Sequence, residues 1–194
     1  KIREAEVEEF AVFFRKIPGL PDQEVANAMI EGILLGNYSF DKYKTRVNGE
    51  KEVKGFSLVY GGKDIWKGVE ETALVCQNAN MVRDMINENA DVMTTDRLAA
   101  FARETAKKHR LKLRILEKPE LQKLGMNLLL AVGSGSRYPP RLIVLEYNGA
   151  PGKERVALIG KGITFDSGGL NLKPSGYIET MKQDMHGAAT VLGV

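Results

Sequence analysis

Two short apolar runs without a polar interruption restrict the folds open to this chain of 194 residues. Residues 142–145 and 156–159 lack the alternation of a strand that has one solvated face. Uninterrupted apolar strands usually lie in a parallel or mixed sheet that helices cover on both faces. Because helical patterns alternate with strand patterns along the chain, the sequence predicts the α/β class, with a mixed, largely parallel sheet flanked by helices.

Hydrophobic periodicity predicts the other elements. The spacing of apolar residues is typical of helices over residues 4–16, 22–35 and 65–86, and of a helix that Thr94 or Thr95 can cap. Shorter patterns predict strands at 56–60, 111–115 and 156–160, a short helix at 119–125, and a helix that begins near Gly187. A domain boundary near the long helix at 65–86 fits this pattern.

Composition excludes several classes of protein. The net charge of +3 is too small to indicate nucleic-acid binding by itself. No run approaches the roughly 18 apolar residues of a membrane span. Cys76 is the only cysteine, so no internal disulfide can form and a reducing compartment fits. Because His109 and His186 are the only histidines, a catalytic metal would need mainly carboxylate ligands.

The residues suited to chemistry follow the second apolar run. Lys161 and Asp166 lie where the predicted strand 156–160 ends, which is where α/β sheets place their sites, and Lys173 and Asp184 come shortly after. Carboxylates can ligate divalent metals. A lysine beside metal ions has a lowered pKa, because nearby positive charge disfavours the ammonium form. A lysine that stays charged can stabilise an oxyanion. Taken singly, Asp166 also suits an Asx turn and Lys161 a solvated charge.

The same stretch resembles the leucine (cytosol) aminopeptidase family of dinuclear metallopeptidases. The matching segments are GKGITFDSGG at 160–169, LK at 172–173 and MKQDM at 181–185, in the order and spacing of the family. The resemblance implies that residues 1–64 are the C-terminal part of a smaller, non-catalytic α/β N-terminal domain. It further implies a linker helix at 65–86 and the N-terminal part of the metallopeptidase catalytic domain at 87–194.

The resemblance also implies a role for each matching residue. Lys161 would ligate one metal through a neutral amine, Asp166 would contact both metals, and Asp184 would ligate the lysine-bound metal near the α-amino group of the substrate. Lys173 would polarise the scissile carbonyl and stabilise the oxyanion. Met181 would line the pocket for the first side chain, although its pattern alone is typical of a core residue.

The implied reaction removes the N-terminal amino acid, leucine or a similar apolar residue, from peptides by attack of a metal-bridging water on the first amide. The implied cofactors are two divalent metal ions per subunit, zinc or manganese, with magnesium or cobalt as alternatives. The family further implies a cytoplasmic homohexamer with peptides as substrates, and neither a membrane nor nucleic acid is expected as a partner.

The sequence departs from the family pattern in two places. It does not contain the segment Asn-Thr-Asp-Ala-Glu-Gly-Arg, which supplies the other carboxylate ligands and the arginine that holds a bicarbonate. We therefore expect these 194 residues to be part of a longer protein and to be inactive alone. His186 stands where the family usually has a small residue, and we expect it to pack, with a ligand or proton shuttle as the alternative.

Two other functions stay open at the level of sequence. One is a DNA-binding or regulatory protein on the same fold, for which the basic run at residues 107–114 is the relevant feature. We expect that run to be a helix end followed by a solvated strand face. The other is a catalytically silent protein that only assembles with active partners, which the four matching site residues disfavour.

Overall fold

The computed structural model describes residues 7–45, 53–62, 64–150, 152 and 154–194. The chain divides into two compact units, Lys1–Asp84 and Met85–Val194, and the division falls within one long helix. Each unit combines helices with a pair of strands, which confirms the mixed α/β class. Among the helices in these ranges, none has both the length and the apolar character that crossing a bilayer requires.

The first unit contains a parallel strand pair joined through a helix. Strand β1 (Glu9–Phe13) runs parallel to β2 (Gly55–Val59), and α1 (Asp22–Gly36) lies between them in the chain. The long helix α2 (Trp66–Asn87) follows. The core of the unit forms where buried residues of α1 meet the residues at the start of α2, namely Ala26, Ile30, Ile65 and Val69.

The predicted helix over residues 4–16 is wrong where the structure describes it, because β1 occupies residues 9–13. Residues 4–6 lie outside the described residues. Phe10 and Val12 are half-buried between exposed neighbours, which is the period of a strand. A short apolar pattern can fit the period of a helix or of a strand. Here the pairing with β2, in which Glu9 lies beside Gly55, selects the strand.

The second unit holds the predicted site residues. Strands β3 and β4 pair antiparallel, and the first helix of the unit packs against both. The elements after α2 are α3 (Thr95–His109), β3 (Lys112–Leu116), α4 (Lys118–Lys123), α5 (Asn127–Val132), β4 (Leu142–Glu146), a 3-10 helix (Glu179–Gln183) and α6 (His186–Gly193). Thr94 caps α3 as predicted, because its side chain accepts a hydrogen bond from the amide of Arg97 at 3.3 Å.

The predicted buried strand at residues 156–160 is wrong. The structure has no strand there, and the side chains of Val156 and Ile159 are 87% and 93% exposed. A continuous apolar run forms a buried strand only when a sheet pairs with it and helices cover it, and the described part of the chain pairs no strand with this segment. The other run forms β4, whose residues are all half-buried.

Candidate active site

A close approach of two backbone segments brings the loop after residue 160 to the start of α6. The amide of Ala188 donates to the carbonyl oxygen of Lys161 at 2.8 Å. A β-carbon on Gly160 would overlap the carbonyl group of Gly187, and a β-carbon on Gly187 would lie 2.8 Å from the amide nitrogen of Lys161. Because both positions are glycine, the backbones can touch, and Lys161 reaches Asp184.

Four charged side chains form two ion pairs in this region. Lys161 Nζ lies 2.9 Å from Asp184 Oδ2, and Lys173 Nζ lies 2.9 Å from Asp166 Oδ2. The Asp184 side chain is 14% exposed, whereas the Lys161 side chain is 53% exposed. The structure therefore places all four predicted residues in contact with one another in pairs, while their chemical roles stay predictions.

The two pairs also influence each other electrostatically. The Asp184 carboxylate holds the pKa of Lys161 above its usual value, and the charge of Asp166 adds to this effect. The Lys173 ammonium holds the pKa of Asp166 below its usual value, with help from the Gly168 amide and the charge of Lys161. Two acids and two bases therefore share one electrostatic environment.

The Asp166 carboxylate has a different partner for each oxygen. Oδ1 accepts a hydrogen bond from the amide of Gly168 at 3.0 Å, and Oδ2 accepts one from Lys173 Nζ at 2.9 Å. The first bond closes the Asx turn that the sequence favours, and Gly168 has a φ of +89°, which suits glycine. The Asp166 side chain thus takes part in both the turn and the site, and its two hydrogen bonds fix its orientation.

Met181 also contacts the second lysine of the site. Lys173 Nζ lies 2.8 Å from Met181 Sδ, and Met181 belongs to the 3-10 helix Glu179–Gln183, directly before Asp184. The thioether sulfur is a weak acceptor, so the contact holds the methionine close without neutralising the ammonium. The structure shows Met181 at the site, and its place in a substrate pocket stays a prediction.

Sequence reasoning missed two side chains that hold this segment. The Ser175 hydroxyl donates to Glu179 Oε1 and the Gly176 amide donates to Glu179 Oε2, both at 2.6 Å. Lys182 Nζ donates to the carbonyl oxygen of Asn87 at 2.8 Å. Ser175 and Glu179 lie four residues apart across a turn, so a local signal existed for their contact. No local signal exists for Lys182, because its partner lies 95 residues away in the chain.

The Glu179 contacts predict a titration that can be followed at one amide. The Ser175 hydroxyl and the Gly176 amide hold the pKa of Glu179 below the usual value of about 4.3. A carboxyl whose folded-state pKa is lowered stabilises the fold at higher pH, and the stabilisation is lost as the pH falls through the lowered pKa. We expect the NMR shift of the Gly176 amide to titrate with a midpoint below that of an ordinary glutamate.

The control for this titration is Glu179→Gln, in which the Gly176 amide shift should stay constant over the same acid range because no proton binds. A midpoint at or above the ordinary glutamate value in the unaltered protein would contradict the assignment of the two hydrogen bonds.

His186 is exposed at the start of α6, and its ring is held by its own turn. Its Nδ1 lies 3.0 Å from the carbonyl oxygen of Gln183, so Nδ1 carries the proton in this contact, because a carbonyl oxygen only accepts. The Thr190 hydroxyl donates to the carbonyl oxygen of His186 at 2.9 Å. The side chain is therefore exposed and not packed in this structure, and the alternative of a ligand or proton shuttle stays a prediction.

The donor groups of the site fit a divalent cation in their chemistry. Carboxylate oxygens suit hard and borderline cations, and the amine of a lysine can ligate once it has lost its proton. Within the described ranges, no group of three or more His, Cys, Asp or Glu side chains lies together that could hold a metal ion. A metal centre at this site would therefore need donors besides the His, Cys, Asp and Glu side chains of the described residues, and the ligand roles of Lys161, Asp166 and Asp184 stay predictions.

Comparison with known proteins decides the family. Residues 80–194 match the model of the cytosol aminopeptidase family, catalytic domain, and residues 1–46 match the model of the N-terminal domain of that family. The chain belongs to the cytosol aminopeptidase family. The chain spans only 37% and 34% of the length of two relatives, one from Desulforapulum autotrophicum and one from a Geobacter species. These residues therefore correspond to about a third of such a protein.

The chain is similar to named relatives and to a solved structure. A protein of Desulforapulum autotrophicum named "Probable cytosol aminopeptidase" is 43% identical over 191 residues, which cover 96% of this chain. A protein of the same name from a Geobacter species is 46% identical over 167 residues, or 84% of the chain. The bottromycin maturation enzyme BotP in complex with Mn superposes with a TM-score of 0.86 at 34% identity, over 99% of this chain and 41% of BotP.

Proposed function

We propose that the protein containing these residues is a metal-dependent aminopeptidase that removes leucine or a similar apolar residue from the N-terminus of peptides. The observation that carries the proposal is the pairing of Lys161 with Asp184 and of Lys173 with Asp166 in one site. Membership of the cytosol aminopeptidase family supports this reaction class. The proposed protein is a cytoplasmic homohexamer, by analogy with the family.

Lys161, Asp166 and Asp184 are the residues proposed to hold divalent metal ions. Zinc or manganese fits these donors, with magnesium or cobalt as alternatives, and the Mn complex of BotP supports manganese by analogy. When bound, the ions would polarise the scissile carbonyl and supply an activated water. Asp184 is the less exposed carboxylate of the two, so an ion beside it would be well shielded from solvent.

Lys173 is the proposed source of positive charge for the reacting carbonyl. The Asp166 carboxylate holds the amine of Lys173 in place, and the sulfur of Met181 also contacts that amine. An ammonium group fixed in this way can donate a hydrogen bond to the oxygen on which negative charge develops. Because it is held before the substrate arrives, little reorganisation is needed during the reaction.

Asp184, in a second role, and Met181 account for cleavage at the first peptide bond. The Asp184 carboxylate can attract the free α-amino group of a peptide, which fixes the distance from the N-terminus to the reacting amide. Met181 offers an apolar, adaptable surface to the first side chain, which suits leucine or a residue of similar size. The exopeptidase outcome follows from the amine anchor, since an internal peptide bond has no free amine beside it.

The proposal is tested with the full-length protein and leucine amide as substrate. We expect hydrolysis that a chelator abolishes and that added Mn²⁺ restores. The matched substrate is N-acetyl-leucine amide, which lacks the free amine and should not be cleaved. Turnover that persists in the presence of chelator would contradict the metal requirement, and equal cleavage of the blocked substrate would contradict the amine anchor.

A further inference from the structure

One of the two charged side chains of the 3-10 helix Glu179–Gln183, that of Lys182, contacts the end of another helix. Lys182 is half-buried, and its Nζ donates to the carbonyl oxygen of Asn87 at 2.8 Å. Asn87 is the last residue of α2. The final carbonyl groups of a helix lack partners within the helix and carry partial negative charge, so they are favourable partners for an ammonium group.

The neighbours of Lys182 in the chain are the residues that meet the site lysines. Met181 contacts Lys173 Nζ at 2.8 Å, and Asp184 contacts Lys161 Nζ at 2.9 Å. The backbone between them is a single tight turn, in which the Asp184 amide donates to the carbonyl oxygen of Met181 at 3.2 Å. A rotation of this turn would therefore move both contacts at once.

Several contacts near this turn hold it locally, including the hydrogen bonds of Glu179 with Ser175 and Gly176 and the contact of His186 with the carbonyl oxygen of Gln183. Met185 is fully buried and fixes the position of the chain just after Asp184. These contacts join residues that are close in the chain. The hydrogen bond from Lys182 joins the turn to a residue 95 positions away, at the end of α2, so it couples the direction in which Met181 and Asp184 face to that helix end.

We propose that Lys182 is a positioning residue, which ties the turn carrying Met181 and Asp184 to the C-terminal end of α2. The inference rests on the proposed function, because it concerns the geometry of that same site. Residues that orient metal ligands without touching the metal typically change metal affinity or activity by about 10- to 100-fold when they are replaced. Lys182 is expected to act in this range.

The test compares Lys182→Met, which keeps the length of the side chain and removes its charge, with Lys182→Arg, which keeps a donor for the Asn87 carbonyl. In the full-length protein, we expect Lys182→Met to weaken Mn²⁺ binding, measured by calorimetry, by about 10- to 100-fold. Lys182→Arg should restore most of that affinity. The matched control is Lys123→Met at the exposed end of α4, which should bind Mn²⁺ as the unaltered protein does.

A second measurement needs no metal. Hydrogen exchange at the amide of Asp184 should accelerate by about tenfold or more in Lys182→Met and return to its original rate in Lys182→Arg. Unchanged exchange in a folded Lys182→Met protein would overturn the inference. If Lys182→Met does not fold, Lys182→Gln is measured in the same way, and normal exchange and Mn²⁺ affinity in that variant would overturn it.

The two measurements also separate this inference from the proposed function. An unaltered protein that binds none of Mn²⁺, Zn²⁺, Mg²⁺ and Co²⁺ would overturn the proposed function, and the exchange rates would then decide the role of Lys182 alone. Strong Mn²⁺ binding in every variant would support a metal site and overturn the positioning role.

Discussion

Replacement of Lys173 by methionine is expected to lower kcat for leucine amide by about 10²- to 10³-fold in the full-length protein, with a much smaller change in KM. This is the usual cost of removing one fixed donor from a developing oxyanion. Methionine keeps the length and most of the volume of the side chain, so the loss would come from the charge. The interactions that hold Lys173 in place, from Asp166 and Met181, are already present in the structure.

The control for charge removal is Lys123→Met, which removes an exposed lysine from the same unit. Lys173→Arg separates charge from geometry, because a planar guanidinium cannot occupy the position of a compact ammonium between the same two partners. We expect only partial recovery in that variant. A Lys173→Met protein with the original kcat would show that the ammonium group takes no part in the reaction.

Replacement of Gly160 by alanine is expected to destabilise the protein by about 2 kcal/mol or more, at the upper end of the usual cost of overpacking. The added methyl group would overlap the backbone of Gly187 and Ala188, which cannot move aside as a flexible side chain could. Relief of the overlap has to separate the loop from α6. The hydrogen bond from the Ala188 amide to Lys161 would then be lost, and the Lys161–Asp184 pair with it.

Chemical denaturation of the full-length protein measures this effect as a shift of the unfolding midpoint. The control is Gly135→Ala, because a β-carbon on Gly135 would meet no other atom within 4 Å. That variant should unfold within about 0.5 kcal/mol of the unaltered protein. Equal stability of the two variants would mean that the loop and α6 are not in close contact.

The sequence predicted the long helices well, and it failed where a distant partner decides the conformation. Helices α1 and α2 begin and end within one residue of the predicted positions, because their periodic patterns extend over many turns. β1 was predicted as a helix, since its apolar residues fit both periods and only pairing with β2 selects the strand. The segment at 156–160 failed for the opposite reason, because apolar character alone does not supply a pairing partner.

For the site, too, the sequence predicted what is local and missed what depends on distant residues. Lys161, Asp166, Lys173 and Asp184 could be named in advance, since they lie in one stretch of sequence with a recognisable order. The contacts that hold these residues could not be named in advance, because they join residues that only folding brings together. These pairs are Gly160 with Gly187 and Lys182 with Asn87. A glycine needed for close approach looks in the sequence like any loop glycine. A lysine that caps a distant helix looks like a solvated charge.

The parallel pairing of β1 with β2 has a consequence for synthesis on the ribosome. Glu9 cannot find its place beside Gly55 until the next 46 residues, the last of which is Gly55, have been made. At translation rates of 5 to 20 residues per second, β1 waits roughly 2 to 9 s for its neighbour. During that interval the backbone groups of β1 that later pair with β2 lack this partner, and unpaired strand edges are the surfaces at which chains associate wrongly.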